Sequence, residues 1–431
     1  MMKQYKYPNI TDWKSLCERP LQNQENLSEQ VKSVFNEVKI KGDKALKLFT
    51  EKFDGVFLND FKVSETEIEE AKKLVSDELK SAIETASENI RKFHISQQEE
   101  KKIVETTEGV FCWRESRAIE NIGIYIPGGT APLFSTVLML GIPANIAGCK
   151  NITLCSPPDE NGKINPAILF AADLVGIKNI FKVGGSQAIA ALSFGTETIT
   201  KVDKIFGPGN QYVTFAKQLA LNYNVAIDIP AGPSEVLVIA DESSIPSFVA
   251  SDLLSQAEHG TDSQVILLSD SETIINEINV EIDRQLKELP RNEIAEIALQ
   301  NSKSILLNSI DEAIEFSNFY APEHLILSIE NAENFTGKIT NAGSVFLGNY
   351  SPESAGDYAS GTNHTLPTNG FAKNYSGVSL DSFVKKITFQ NITKNGIKNI
   401  GKTIELMAEA EELIAHKNAV SVRLKYLENE N

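Results

Sequence analysis

Short apolar runs alternate with helical patterns along most of this chain, and that alternation restricts it to folds built on parallel sheets. The first series pairs "IGIYI" with "LFSTVLMLGIPANIAG", "ITLC" with "PAILFAADLVG", "IFKVGG" with "QAIAALSFG" and "KIFG" with "QYVTFAKQLAL", and closes on "VAIDI". Strands and helices spaced this closely make βαβ units, whose crossovers leave the strands parallel. A second series begins at "EVLVIA" and continues through "QVILLSD", "SILLN", "LILSI" and "GSVFLG". Two α/β lobes are therefore expected, over residues 116–234 and 235–379.

The first hundred residues carry helical periodicity instead. Val31, Val34, Phe35 and Val38 recur on one face, and Gly42 closes the segment. Ser64 and Glu67 form a capping box before one long helix, with an apolar stripe running Ile68, Ala71, Val75, Leu79, Ile83, Ala86 and Ile90. After an N-terminal segment, 1–25, residues 26–115 are assigned to the 235–379 lobe. The tail, 380–431, reads as a helix around "IELMAEAEELIAHKN" followed by an alternating strand, "AVSVRLKYL". It is too small for a core of its own.

At 431 residues the chain can bury more than one core. Its formal net charge of −17 argues against nucleic-acid or anionic-membrane partners, which require clustered Lys and Arg. The opening "MMKQYKYPNITDWKSLCERP" has no apolar signal region, and no run of about 18 apolar residues exists to span a bilayer. Cys17, Cys112, Cys149 and Cys155 form no CxxC pair and read as buried, reduced thiols of a cytoplasmic protein.

Three strand-to-helix turns carry glycine: "YIPGGTAP" (Gly128, Gly129), "VGGSQ" (Gly184, Gly185) and "FGPGNQ" (Gly207, Gly209). Each could let backbone amides approach a phosphate at a helix start, beyond the carboxyl ends of the strands. None is a GxGxxG, so each alone is also an ordinary tight turn.

Five histidines remain to be placed. His94, with no partner at ligand spacing, is structural. In "SDLLSQAEHG", Gln256 and His259 share a helix face at i, i+3, and Gly260 suits a left-handed position after the last turn. His259 would then lie at a helix carboxyl end, which favours a cation or a metal. "YAPEHLIL" sets Glu323 and His324 in a turn entering a strand. The polar loop "ESAGDYASGTNHTLPTNG" carries Asp357 and His364, and "EELIAHKN" carries Glu411 and His416. His364 reads as a loop hydrogen-bonding residue. The four histidines of the C-terminal half, each with a carboxylate or amide nearby, could assemble one site or lie scattered on the surface.

The chain resembles the histidinol dehydrogenases, from the N-terminal helices to the tail. The resemblance rests on "YIPGGTAPLFSTVLMLGIPANIAGC", "FGPGNQYVTFAK", "DIPAGPSEVLVIAD", "LLSQAEHG", "APEHL", "SPESAGDYASGTNHTLPT" and "AHKNAV". It implies two Rossmann-like, aldehyde dehydrogenase-like lobes. It also implies an enzyme of histidine biosynthesis that oxidises L-histidinol to L-histidine through an aldehyde-level intermediate. Two NAD would be consumed per turnover, with one zinc per subunit. By the same resemblance, Gln256, His259, Asp357 and His416 would ligate zinc, and Glu323 and His324 would be the acid/base pair. Ser234, Glu411 and His324 would contact substrate, with the four zinc ligands close around it. Tyr125, Gln187 and Asn210 would contact NAD. The family is a homodimer with intertwined tails, so Glu411 and His416 would complete the partner's site.

Two rival readings use the same residue types. A zinc hydrolase would employ Glu323 on a metal-bound water and would need no NAD. An aldehyde dehydrogenase-like enzyme would use a cysteine nucleophile, Cys112 or Cys149.

Overall fold

The computed structural model describes residues 2–20, 25–128, 131–230 and 232–429. By its contacts the chain divides into two units, residues 1–96 with 119–382, and residues 97–118 with 383–431.

The first unit holds both expected parallel sheets. The larger has six strands, in the order Lys3–Lys6, Lys303–Leu306, Gln264–Ser269, Glu235–Ala240, His324–Ser328, Ser344–Leu347, all parallel. The smaller runs Asn179–Lys182, Asn151–Ser156, Asn121–Tyr125, Lys204–Phe206, Ala226–Ile227, also all parallel. Every residue of Glu235–Ala240 and Gln264–Ser269 is buried, as strands covered on both faces must be. Apart from the edge strand Lys3–Lys6, the chain in both sheets starts in the middle and winds outward in both directions. Each therefore has a point where strand order reverses, between Asn121–Tyr125 and Lys204–Phe206 in one and between Glu235–Ala240 and His324–Ser328 in the other.

The N-terminal helices do not pack as expected. Leu27, Val31, Val34, Phe35 and Val38 of Glu25–Lys41, with Ala45, Leu46 and Phe49 of Asp43–Asp54, share a core with Ala188–Leu192, Val213 and Ala216. They complete the smaller-sheet lobe rather than the 235–379 lobe. The reason lies in the helix Gly185–Phe194, which is apolar all round and needs a second layer outside it. The long helix expected after Ser64 is two, Glu65–Leu74 and Asp77–Ile95. Val75 is extended, and Ser76 starts afresh by accepting from the Leu79 N–H. The capping box at Ser64 and Glu67 is formed as expected.

His94, the structural histidine, is fully buried in the second of these helices. Its Nδ1 bonds the Ile90 carbonyl at 2.9 Å, and its Nε2 has no partner. Burial holds the imidazole below its ordinary pKa. Below a pH of about 6.5 the unfolded chain takes up a proton that the folded chain resists. Stability should therefore fall with pH below that point, by at most about 1.4 kcal/mol per unit from this residue. Melting curves between pH 5 and 7 should show a shallower slope for His94→Gln, and equal slopes would exclude the residue as a source.

The second unit is a three-stranded antiparallel sheet, Val384–Ile392, Val110–Ala118, Ile103–Thr107, with the helices Lys394–Ala410 and Ile414–Asn429 packed on each other. Residues 97–115 thus leave the lobe expected for them. "AVSVRLKYL", expected as a strand, lies within the second helix. Its alternation conceals a helical set, for Val420 and Leu427 are buried two turns apart. Between them, Leu424 fills the space where Gly401 has no side chain.

Candidate active site

Three elements of the larger-sheet lobe bring the expected catalytic residues together. Glu323 directly precedes the strand His324–Ser328, and that strand lies beside Glu235–Ala240 with His324 opposite Val236. The turn into it is set by Ala321, left-handed at φ 58°, an unusual state for a residue with a side chain. The helix Pro246–Ala257 returns from the far end of its own strand. Its carboxyl end therefore delivers Gln256 and His259 to the amino edge of the sheet. Asp357 comes not from a loop, as expected, but from a short helix, Glu353–Tyr358. Gly260 does not take the left-handed conformation expected of it.

Glu235 is the hub of this arrangement. Its N–H donates to Glu323 Oε2 at 2.9 Å, and its carbonyl oxygen lies 3.2 Å from His324 Nδ1. The carbonyl can only accept, so Nδ1 carries the proton and Nε2 of neutral His324 keeps its lone pair. Nε2 faces Asp357 Oδ1 at 3.4 Å, and among the described residues neither buried atom has a hydrogen-bond partner. The Glu235 carboxylate accepts from Arg19 Nη2 at 3.0 Å and from the Asn369 N–H at 2.9 Å. Arg19 also lies 4.0 Å over the Tyr320 ring, tying the N-terminal segment into the site.

Sequence reasoning missed Glu353. Buried and four residues before Asp357 on the same short helix, it shares that residue's face, a spacing that could have disclosed it. In the orientation that satisfies its neighbours, the Gln256 amide donates to both Glu353 oxygens, at 2.6 and 3.2 Å. Its carbonyl then accepts from the Glu235 N–H at 3.2 Å, and Ser255 Oγ donates to Glu353 at 3.1 Å.

So many acids around one imidazole shift one another. Burial pushes both Glu323 and Glu353 up to about 8. Burial alone would depress His324, but the carboxylates of Glu323, Asp357 and Glu353 carry it up to about 10. Asp357 is buried too, yet the imidazoles of His324, His364 and His259 hold it below its usual range. At His259 enclosure depresses the pKa and Asp357 opposes it, so the helix end does not produce the cation expected there. His364 does what a loop residue should: Nε2 meets Thr136 Oγ1 at 2.9 Å and Nδ1 meets the Asp357 carbonyl at 2.8 Å.

A cleft of about 880 Å³ opens at this edge, lined by Ser234, His259, Arg19 and Asn369 together with Asn210 from the other lobe. A second cavity, of about 460 Å³, gathers Tyr125, Gln187 and Asn210 at the carboxyl ends of the smaller sheet. Tyr125 ends its strand and its hydroxyl accepts from the Gly185 N–H at 3.0 Å. Asn210 caps the next helix, accepting from the N–H groups of Tyr212 and Val213. Gly207 sits at φ +124°, where a Cβ would come within 2.0 Å of the Tyr125 carbonyl oxygen, so only glycine permits this turn. Gly129, in the first of the three turns, lies outside the described residues.

Glu411 and His416 belong to the second unit. Both are exposed, Glu411 directly after the helix Lys394–Ala410 and His416 in the first turn of Ile414–Asn429. Among the described residues no three His, Cys, Asp or Glu side chains are arranged to hold a metal. The first unit offers two such groups, His259 and Asp357, and the amide of Gln256. An imidazole, an amide and a buried carboxylate oxygen without a partner nevertheless suit zinc, which accepts mixed N and O donors.

The thiols do not suit nucleophilic chemistry. Burial pushes Cys17 and Cys155 up to about 12 and Cys149 up to about 11. Cys149 also precedes its strand, at the end of the smaller sheet opposite the second cavity, and Cys112 lies in the second unit.

The likeness to known proteins is extensive. A histidinol dehydrogenase from Bacteroides thetaiotaomicron is 60% identical over 99% of this chain and 100% of its own length. One from Haemophilus influenzae is 54% identical over 97% of each. The crystal structure of histidinol dehydrogenase from Elizabethkingia anophelis superposes with a TM-score of 0.98, at 67% identity and 99% coverage of both chains. An acetylating aldehyde dehydrogenase from Geobacillus thermoglucosidasius, 16% identical, reaches a TM-score of 0.50 over 88% of this chain and 93% of its own, a likeness of fold. With the histidinol dehydrogenase family model matching residues 17–424 as well, the chain belongs to the histidinol dehydrogenase family.

Proposed function

We propose that this oxidoreductase carries out the NAD-dependent, zinc-dependent oxidation of L-histidinol to L-histidine, the last step of histidine biosynthesis. It works in the cytoplasm as a homodimer, with two NAD reduced per turnover. Residues 116–234, covered by the N-terminal helices, form the NAD lobe, and residues 235–379 carry the chemistry. The 380–431 tail reaches the partner's site. The observation that carries this reading is the buried His324, with Nδ1 on the Glu235 carbonyl and Nε2 facing Asp357, in the lobe whose Ser234 and His259 line a cleft that also reaches Asn210.

Gln256, His259 and Asp357, with His416 of the partner subunit, would hold zinc, which would serve as a template for the substrate's imidazole and amine, and bound NAD would supply the hydride acceptor. His324 accepts the hydroxyl proton as hydride leaves the carbinol carbon, giving the aldehyde. Glu323 then takes a proton from water as its oxygen joins the aldehyde carbon, and His324 returns its proton to the carbonyl oxygen, giving a neutral hydrate and freeing His324. His324 takes the hydroxyl proton of that hydrate as the second hydride leaves, and a carboxylic acid results. Ser234, with Glu411 from the partner, holds the substrate. Tyr125, Gln187 and Asn210 hold the dinucleotide.

The test is NADH formed per L-histidinol consumed, on metal-stripped protein with and without added zinc. Two NADH per substrate, appearing only with zinc, are expected. Full turnover without metal would remove zinc from the mechanism, and one NADH would overturn the role of Glu323. No NADH from a folded, zinc-loaded enzyme would favour a zinc hydrolase.

A further inference from the structure

Two residues that line the 460 Å³ cavity each carry a buried polar atom without a hydrogen-bond partner among the described residues. One is Gln187 Nε2, a donor on a side chain that is 1% exposed; the other is Asp54 Oδ2, an acceptor. Asp54 is the last residue of the helix Asp43–Asp54, directly before Gly55 at φ 71°. A carboxylate is disfavoured at a helix carboxyl end, and here it is also partly buried with one oxygen unmatched. Burial pushes it up to about 6, so most of it remains ionised at neutral pH. A position that costs stability three times over in this way suits a ligand-binding role.

The ligand can be narrowed by its chemistry. Hydride transfer must occur in the larger cleft, beside His259 and Ser234, so the nicotinamide end of a dinucleotide belongs there. Asn210 lines both spaces, which places the adenosine half in the smaller one. Its walls offer flat apolar surfaces, Phe53, Tyr212, Pro157 and Val34, for a purine. What remains for Asp54 and Gln187 is a group that donates to one and accepts from the other. A ribose diol does both. Among the described lining residues none is cationic, so nothing in the cavity would neutralise a phosphate ester on that ribose.

We propose that Asp54 binds the adenosine ribose hydroxyls of the dinucleotide and, by its charge, selects a 2′-hydroxyl over a 2′-phosphate. This rests on the NAD reading above and adds to it the residue that makes the choice.

The test uses the full-length enzyme and Asp54→Asn and Asp54→Ala variants, titrated with NAD and NADP by calorimetry. Losing charge-assisted hydrogen bonds should weaken NAD about 10- to 100-fold in Asp54→Ala. NADP should bind more tightly to both variants than to the unaltered enzyme, so that the preference for NAD collapses. The apo variants should melt no lower than the unaltered protein, because an unsatisfied carboxylate has been removed. Equal weakening of NAD and NADP, or a lowered melting temperature, would make Asp54 a structural residue and overturn the proposal. Unchanged NAD and NADP affinities would overturn it as well. Failure of the unaltered enzyme to bind either dinucleotide would instead bring down the NAD reading, and this assignment with it.

Discussion

His324→Asn is expected to lower kcat by two to four orders of magnitude for histidinol and for the aldehyde alike, the range that general-base catalysis contributes. The expectation comes from the geometry at the Glu235 carbonyl. His324 donates from Nδ1, so in the neutral ring Nε2 holds the only lone pair; the surrounding carboxylates carry the imidazole up to about 10, so this base form grows as pH rises. Glu323→Gln should separate the two oxidations. Its carboxylate is buried, receives the Glu235 N–H and is pushed up to about 8. It therefore becomes a base only in mildly alkaline solution. The variant should oxidise histidinol to the aldehyde near the normal rate but the aldehyde slowly. In the unaltered enzyme, aldehyde oxidation should rise with pH through about 8. Stopped-flow measurement of the two hydride transfers checks both statements. Equal losses in both steps would sink the division of labour between Glu323 and His324.

Lys217→Met should destabilise the protein by about 3–5 kcal/mol, the usual result of leaving a buried charge without its counterion. Lys217 Nζ bonds the Gly207 carbonyl at 2.8 Å and Asp228 Oδ1 at 2.5 Å, and the two side chains are 2% and 0% exposed. Asp228 completes the clasp by accepting from the Gly207 N–H at 2.8 Å. The pair thus holds both polar groups of the one glycine that the Tyr125 carbonyl forces to lack a side chain. Chemical denaturation should show the loss. A Lys217→Met, Asp228→Asn double variant should recover part of it, since the stranded charge is gone. NAD affinity should remain weakened in both, because the turn leading to Asn210 loses its anchor.

Much of this was legible before any coordinates. Apolar runs such as "EVLVIA" and "QVILLSD", alternating with helical patterns, marked the strands of a parallel sheet covered on both faces. Elements whose signal is polar were not legible. Lys3–Lys6, "KQYK", is a strand only because the edge of the larger sheet accepts it. "VKKITFQNI" alternates weakly and needs Val110–Ala118 to pair with. The tail helix was misread because alternating Val and Leu satisfy two periods at once. Within the site, the histidines stood out because they are few. Glu235, Glu353 and Arg19 did not, since charged residues are ordinarily solvated and only tertiary burial makes these three a network. Nor could the sequence disclose that Glu323, His324, Gln256 and His259 collect at the amino edge of the larger sheet, because that depends on which strands reverse order.

The strand Lys3–Lys6 also dictates when the molecule can be finished. Its partner is Lys303–Leu306, and the Arg19 that follows it reaches Glu235 and Tyr320. Lys3–Lys6 therefore has no strand partner until about three hundred more residues have been synthesised. At about 5–20 residues per second that is a wait of roughly 15–60 s. The smaller-sheet lobe, whose strands and covering helices all lie before residue 228, can close in the meantime. Arg19 can reach Glu235 and the Tyr320 carbonyl only after those residues have been made, so the cation beside this carboxylate comes from the far end of the chain.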